Sequence, residues 1–444
     1  MFRVVIPAVM AVALTACGGG GGGGSDSSSP TQSSEYTTLA SVDLTHFVPS
    51  LVTADFQGNG SEYVVMAGWR NDPGSAPPVK IFKINSDGTA EDATVAVLGS
   101  EVYTSVNYPV IADFNRDGID DIFFPGFTDG RGARSDNQSR AFVSRPGQSH
   151  VEVSVPGLGW SHAAVAADIN NDGWIDVISS MGNMWINNGG TAFTFQARYD
   201  YHSTPEPIGG SGICAGKLDN TNTTYFVVTD IQNNGLLPIR DTMVFTLDST
   251  LKPVYQASLP VPFFDRSSTT TETSHDVSCM IADLNNDGLN DVVVVSALNS
   301  AAVQSGAETL ASATQVYLNR GGLVFEDITD VAMPNYPRNS LSSYTPRVVD
   351  FNGDGKKDIW LQDWNFAGLP SANQIWLNTG AGLFSQSKVN EISNVLSTFR
   401  NRVGGDPGTG IMTPVKVNNK WNFIVTSSGT NRVNVGYVRT EWTF

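Results

Sequence analysis

The sequence predicts an all-β chain folded as a seven-bladed β-propeller, with Asp-rich loops between the first two strands of several blades. Three observations predict it. A nine-residue acidic motif recurs along the chain, and a hairpin signature follows it within several units. The flanking segments are rich in β-branched and aromatic residues, with no stretch of sustained helical period.

The motif comes first. Four segments align without gaps: ADFNRDGIDDIFF from Ala112, ADINNDGWIDVIS from Ala167, ADLNNDGLNDVVV from Ala282 and VDFNGDGKKDIWL from Val349. Each reads D-x-N-x-D-G-x-x-D and runs into a strand. Two weaker copies, ADFQGNGSEYVVM from Ala54 and GKLDNTNTTYFVV from Gly216, carry Tyr63 and Tyr225 where the strong copies have the last Asp. A shortened copy, VKVNNKWNFIV, begins at Val415. The first loop positions are then Asp55, Asp113, Asp168, Lys217, Asp283, Asp350 and Lys416. Their spacings, 58, 55, 49, 66, 67 and 66, fill residues 36–444 with seven units and leave no room for a second domain. A propeller of six or eight blades is the alternative, should the short copy be miscounted.

The second signature lies downstream: MWINNGGTAFTF from Met184, VYLNRGGLVFED from Val316 and IWLNTGAGLFSQ from Ile375. An apolar strand meets Asn-x-Gly and then a strand with an aromatic. This is hairpin chemistry, because Asn and Gly tolerate positive φ. Each unit reads as strand, Asp loop, strand, longer loop, strand, turn, strand. A four-stranded unit cannot bury both faces alone, so the units must stack.

The Asp loops and the LNxGxGxF hairpins resemble FG-GAP/VCBS repeats, the family that includes the propellers of integrin α-subunits. The resemblance covers nearly the whole chain after residue 35. It implies a β-propeller.

The loop chemistry points to calcium as a structural ion. Calcium takes six to eight oxygens, and a nine-residue loop can supply side chains from positions 1, 3, 5 and 9 and a carbonyl from position 7. The expected ligands are Asp113, Asn115, Asp117, the Ile119 carbonyl and Asp121; Asp168, Asn170, Asp172, the Trp174 carbonyl and Asp176; Asp283, Asn285, Asp287, the Leu289 carbonyl and Asp291; and Asp350, Asn352, Asp354, the Lys356 carbonyl and Asp358. An EF-hand would need a bidentate Glu at position 12 and a helix beyond. Phe124, Ser179, Val294 and Leu361 stand there, with strand-like flanks. Four Ca²⁺ would bring the formal charge of -17 to about -9. Lys217 and Lys416 put an ammonium at position 1 of copies 4 and 7, and copy 1 has Gln57, Asn59 and Tyr63, so these three are expected to hold no metal.

The N-terminus reads as an address. Arg3 precedes a short apolar run, and Leu14-Thr15-Ala16-Cys17 resembles a bacterial lipobox. That resemblance implies a signal peptide over 1–16, cleavage before Cys17 and lipid on that cysteine; Gly18 after it favours the outer membrane. Residues 17–35 are a Gly/Ser-rich tether. The expectation is a monomeric protein on the bacterial cell envelope, anchored to a membrane without spanning it. Net charge -17 makes nucleic acid a poor partner.

If the Asp loops share one face, the segments before position 1 and after the second strand share the other. That rim gathers Trp69, Arg70, Asn107, Arg131, Trp160, His162, His275, Tyr344 and Trp364, side chains suited to carbohydrate or protein recognition. The alternative is that such aromatics fill gaps between blades. No G-x-S-x-G, H-E-x-x-H or Cys/His zinc spacing occurs. The main expectation is therefore a non-enzymatic binding or scaffold module for an extracellular protein or carbohydrate. The second is a polysaccharide lyase or hydrolase, using His162, His275, Tyr344 and Arg347. Cys214 and Cys279 fall on neighbouring inner strands, where a disulfide is open, although their opposite strand parity argues against one.

Overall fold

The computed structural model describes residues 35–42, 47–70, 76–127, 138–157, 162–196, 210–231, 241–261, 272–300, 312–334, 343–363, 373–403, 411–429, 432–442 and 444. Its strands form seven four-stranded antiparallel sheets in simple up-and-down order. Blades 1 to 6 take their strands from residues 47–92, 110–153, 164–196, 212–258, 272–327 and 343–387. Blade 7 is made of three C-terminal strands from 412–442, and its fourth strand is Glu35–Val42 from the other end of the chain. Glu35 pairs with Arg439 and Val42 with Val433, so the two ends of the propeller close the ring through a β-ladder. Closure of this kind shields blade 7 from presenting a bare edge.

The second strand of each blade is buried on both faces, which fixes how blades pack. In Tyr63–Arg70, Val64 and Met66 join blade 7 residues Ile424 and Val435, whereas Val65 and Ala67 join blade 2 residues Ile122 and Phe124. Between blades 5 and 6, Val293 and Val295 meet Ile359, Leu361 and Trp376. The core is thus a ring of seven apolar seams. The first strands lie innermost, those of blades 1 to 6 each against the next and that of blade 7 against that of blade 1, and the Asp loops all leave them at one face.

The seam between blades 4 and 5 corrects the parity argument. Cys214 and Cys279 are disulfide-bonded, with 5.7 Å between their Cα atoms. Cys214 stands opposite Val227 in blade 4, and Cys279 opposite Val294 in blade 5. Stacked blades meet front face to back face, so a bond between them requires opposite parity. Gly212 shows how close the inner strands come: a Cβ there would lie 2.7 Å from the Val277 carbonyl oxygen.

Helix is the second correction. Besides the short helices Thr94–Leu98 and Thr329–Ala332, a 15-residue helix spans Val389–Val403 between blades 6 and 7. Its buried Ile392, Val395 and Phe399 follow helical spacing and pack on Trp421, Phe423 and Val438. Phe399 sits directly over Gly436, where a Cβ would lie 2.1 Å from its ring. About two turns of apolar spacing within a long interblade segment is too short a signal to stand out from a loop.

Two predictions follow from the seams. Non-reducing peptide mapping should recover Cys214 linked to Cys279, and the Cys214→Ala/Cys279→Ala double variant should lose about 2–4 kcal/mol in urea denaturation; two free thiols would refute the bridge. At the closing seam, Glu62 accepts from the Lys416 amide at 3.0 Å, and burial pushes its carboxyl from 4.5 up to about 7. An acid raised on folding favours the folded state when protonated, so this contribution is present below about 4.5 and fades as pH rises toward 7. Glu62→Gln should flatten that decline, on the order of 1–3 kcal/mol, in denaturation curves at pH 4.5 and 7.5.

Candidate functional site

In each strong copy, the nine-residue loop turns on glycine at position 6, which adopts positive φ as Gly118, Gly173, Gly288 and Gly355. The first aspartate caps that turn: Asp113, Asp168, Asp283 and Asp350 each accept the position-6 amide through Oδ2, at 2.9–3.1 Å. The Asn at position 3 accepts the position-5 amide at 2.9–3.1 Å, and the position-5 Asp accepts the position-7 amide at 2.8–3.0 Å. Asp, Asn and Asp therefore stand together on an exposed turn with oxygen donors only. Asp168 Oδ1 is buried and, among the described residues, has no hydrogen-bond partner.

Position 9 has a second role. Asp121, Asp176, Asp291 and Asp358 are fully buried. One oxygen accepts the amide of the loop's second residue: Phe114, Ile169, Leu284 or Phe351, at 2.7–3.0 Å. The other accepts an amide of the third strand, from Ser144, Asn187, Asn319 or Asn378, at 2.6–2.8 Å. Burial pushes the carboxyls of Asp121, Asp176 and Asp291 up to about 6, against these amide bonds. A carboxylate offers about four lone-pair sites, so one or two remain for a cation. Among the described residues, no three His, Cys, Asp or Glu groups gather closely enough to hold a metal by themselves; the position-9 oxygens are drawn back to the amides, which leaves two Asp, one Asn and a backbone carbonyl in each loop.

The hairpin Asn reaches further than a turn residue. Asn187, Asn319 and Asn378 cap their own Asn-x-Gly turns through Oδ1. Positive φ falls instead on Gly189, Gly190, Gly321, Gly322, Leu323, Gly380, Ala381 and Gly382. Their Nδ2 groups cross to the preceding blade and donate to Phe114, Leu218 and Leu284 carbonyls, at 2.6–2.8 Å. Trp421 Nε1 makes the same crossing to the Phe351 carbonyl at 2.8 Å. These carbonyls all belong to position 2 of an Asp loop. Loop and hairpin motifs are two halves of one interblade latch, a relation that sequence spacing alone did not reveal.

The weak copies settle into their own bonds. In copy 4 the Lys217 ammonium donates to the Asn222 carbonyl at 2.5 Å and to Thr224 Oγ1 at 3.0 Å, inside the loop. Tyr225 donates its hydroxyl to Asp219 at 2.6 Å. Copy 1 keeps the turn through Asp55, which accepts from Gly60 and Gln57. Tyr63 is buried beside Phe56. Copy 7 has no loop, only the Asn418–Asn419 turn at positive φ.

The opposite end of the ring axis carries a cavity of about 430 Å³. Asn107, Tyr108 and His162, just before the first strands of blades 2 and 3, stand at its mouth; Thr53, Ile111, Ile213, Val277 and Arg347 line it further in. Asn107 Nδ2 donates to the His162 carbonyl at 2.6 Å. Burial lowers the His162 pKa, so its ring is neutral at pH 7. Arg347 crosses from blade 6 to donate to the Leu51 carbonyl of blade 1 and, at 3.2 Å, to Thr413 Oγ1 of blade 7. Burial pushes its pKa down to about 10, so it stays charged at neutral pH.

Of the expected rim residues, Asn107 and His162 come together at this mouth. Trp69 packs on Phe127, which meets the His162 ring edge-on at 5.8 Å, so Trp69 fills space between blades. His275 and Tyr344 stand on the innermost strands of blades 5 and 6, but their side chains, like that of Arg70, lie outside the described residues. Arg131, Trp160, Trp364 and Cys17 also lie outside them. Among the described residues, no helix is long and apolar enough to cross a membrane.

The latch yields a test. Asn319→Ala should cost about 1–3 kcal/mol, because it strands the Leu218 carbonyl and the turn amide. Asn188→Ala, next to the equivalent Asn187 but bonded only to Thr194 through its side chain, should cost much less in the same urea titration.

The family model for the FG-GAP-like repeat matches residues 55–124 and 283–361. These stretches run from the first Asp loop through the second, and from the fifth through the sixth. No curated protein matches the chain by sequence. Among solved structures, one similar chain is an Agrocybe aegerita lectin, described as specifically recognising non-reducing terminal N-acetylglucosamine. It is 17% identical, with 77% of this chain and 79% of that chain covered and a TM-score of 0.47. At that distance the likeness carries no argument about what this chain binds. Residues 55–124 and 283–361 are thus FG-GAP-like repeats, set within a seven-bladed β-propeller whose other blades share the same four-stranded order.

Proposed function

We propose that this propeller is a calcium-stabilised binding module of the bacterial cell envelope, held there by lipid on Cys17, and that it takes an extracellular carbohydrate or protein at the axial cavity. The observation that carries the reading is the division of labour between its two ends. One end holds four alike oxygen-rich turns bonded into the blade frame. The other opens a cavity of about 430 Å³, within the roughly 300–1,000 Å³ range of small-ligand sites.

The donor set fits a hard cation. Asp113, Asn115, Asp117 and Asp121, with the Ile119 carbonyl, supply oxygen alone, as do the matching residues of the other three loops. The buried, unpartnered Asp168 Oδ1 is a charge that a bound cation would satisfy. The bound ion would hold the exposed turn to the position-9 aspartate and through it to the third strand. Lys217 already places a cation within copy 4, which supports a count of four rather than five.

Two measurements test this. Elemental analysis after dialysis against calcium should give about four ions per chain, and chelation should lower the melting temperature; Asp168→Asn should lower the count by one. At calcium ten times Kd, each loop gains on the order of 1.4 kcal/mol. A count unchanged by chelation-sensitive conditions, or near seven, would contradict the loop assignment. For the cavity, a glycan and envelope-protein panel should give saturable binding without turnover, lost in Ala164→Trp, which fills the lining; appearance of unsaturated sugar product would favour a lyase instead.

A further inference from the structure

We infer that the axial cavity selects a small carboxylate, of the kind carried by a single sugar acid, with Arg347 as its counter-ion. The inference rests on the proposal that the cavity is the ligand site and adds the chemical class of what it takes.

Arg347 is a cation in the wrong company for a structural ion pair. Among the described residues its hydrogen bonds go to a backbone carbonyl and a threonine hydroxyl, both uncharged. Among the described residues, no carboxylate pairs with it, and no Asp or Glu lines the cavity. A guanidinium has five N–H donors in a planar fork, so three remain beyond these two bonds. A desolvated cation without a counter-ion is costly, and an anion from solution relieves that cost.

The setting sharpens the choice. The chain has 43 acidic against 26 basic side chains, yet the described cavity wall shows a single cation and no acid. Low-dielectric walls focus such a charge toward the mouth. Val52, Ile111, Ile213 and Val277 supply those walls. His162 adds no second charge, because burial keeps its ring neutral at pH 7. One positive charge suits a monoanion better than a phosphate dianion, and the planar fork matches a carboxylate in two-point geometry. Thr53, Asn107, Tyr108, Ser211 and Ser278 add neutral hydrogen-bonding groups around the same space, as a hydroxylated ring would require.

Titration calorimetry on the full calcium-loaded chain tests this with D-glucuronate, D-galacturonate, N-acetylneuraminate, methyl glucoside and inorganic phosphate. At least one of the three sugar acids should bind saturably, at least tenfold tighter than methyl glucoside and phosphate. Arg347→Lys, which keeps the charge but loses the fork, should weaken it about tenfold, and Arg347→Met should abolish it. Because Arg347 also ties blade 6 to blades 1 and 7, Ala164→Trp serves as a second variant that leaves those bonds intact and should block the sugar acid by filling the cavity. No heat from any sugar acid, tighter binding of phosphate, or binding indifferent to both Arg347→Lys and Ala164→Trp would overturn the inference. A neutral panel glycan that binds and is blocked by Ala164→Trp would overturn the carboxylate class while leaving the binding-module reading in place.

Discussion

A fully buried aspartate at the head of the second strand ties four of the seven blades together. Asp121, Asp176, Asp291 and Asp358 each bond one oxygen to the start of the Asp loop and the other to the third strand. That single carboxylate fixes three segments at once. Because its amide partner in three blades is the hairpin Asn, it also aims that Asn at the preceding blade. Loop, hairpin and interblade contact are therefore one unit, repeated around the ring. A buried carboxylate is costly unless its lone pairs are filled, and here the backbone fills them.

Blade stacking follows the same logic at larger scale. A four-stranded sheet with apolar residues on both faces of its second strand has no stable existence alone. Valines 64 and 65 point into different seams, one toward blade 7 and one toward blade 2. Every seam therefore depends on both neighbours, and the ring must close. The N-terminal strand Glu35–Val42 provides that closure, and Glu62 and Arg347 add polar bonds near the same junction. Asp loops at one end and an open cavity at the other are consequences of direction: all first strands run the same way along the axis.

The two regions differ in how far local sequence specifies them. An Asp loop is built from nine consecutive residues, so its turn, its caps and its donor set can be read from one stretch. The cavity is built from one to three residues on each of six first strands and from the segments before them. Arg347 illustrates the difference. It lies three residues before Asp350 on an ordinary strand; the sequence offers it only within the lyase alternative, and nothing in YTPRVVD shows that it reaches across the axis to blades 1 and 7. Asn107 and His162 were legible at the mouth because their place before a loop fixed the end of the axis they would occupy. Trp69 looked alike by that rule but packs between blades on Phe127.

By itself the sequence determined the repeat, the blade count, the position of the Asp loops and the strand order, because each follows from contacts within about sixty residues. It also marked Lys217 as the odd member of the loop set. Tertiary structure decided what depends on two blades meeting. It gave the closing role to Glu35–Val42 and the latch to Asn187, Asn319 and Asn378, and it seated the helix Val389–Val403 on blade 7. It also joined Cys214 to Cys279 across opposite parities. Parity within one sheet is a local property. Whether two residues meet across a seam depends on which face each blade turns to its neighbour, and only the closed ring fixes that.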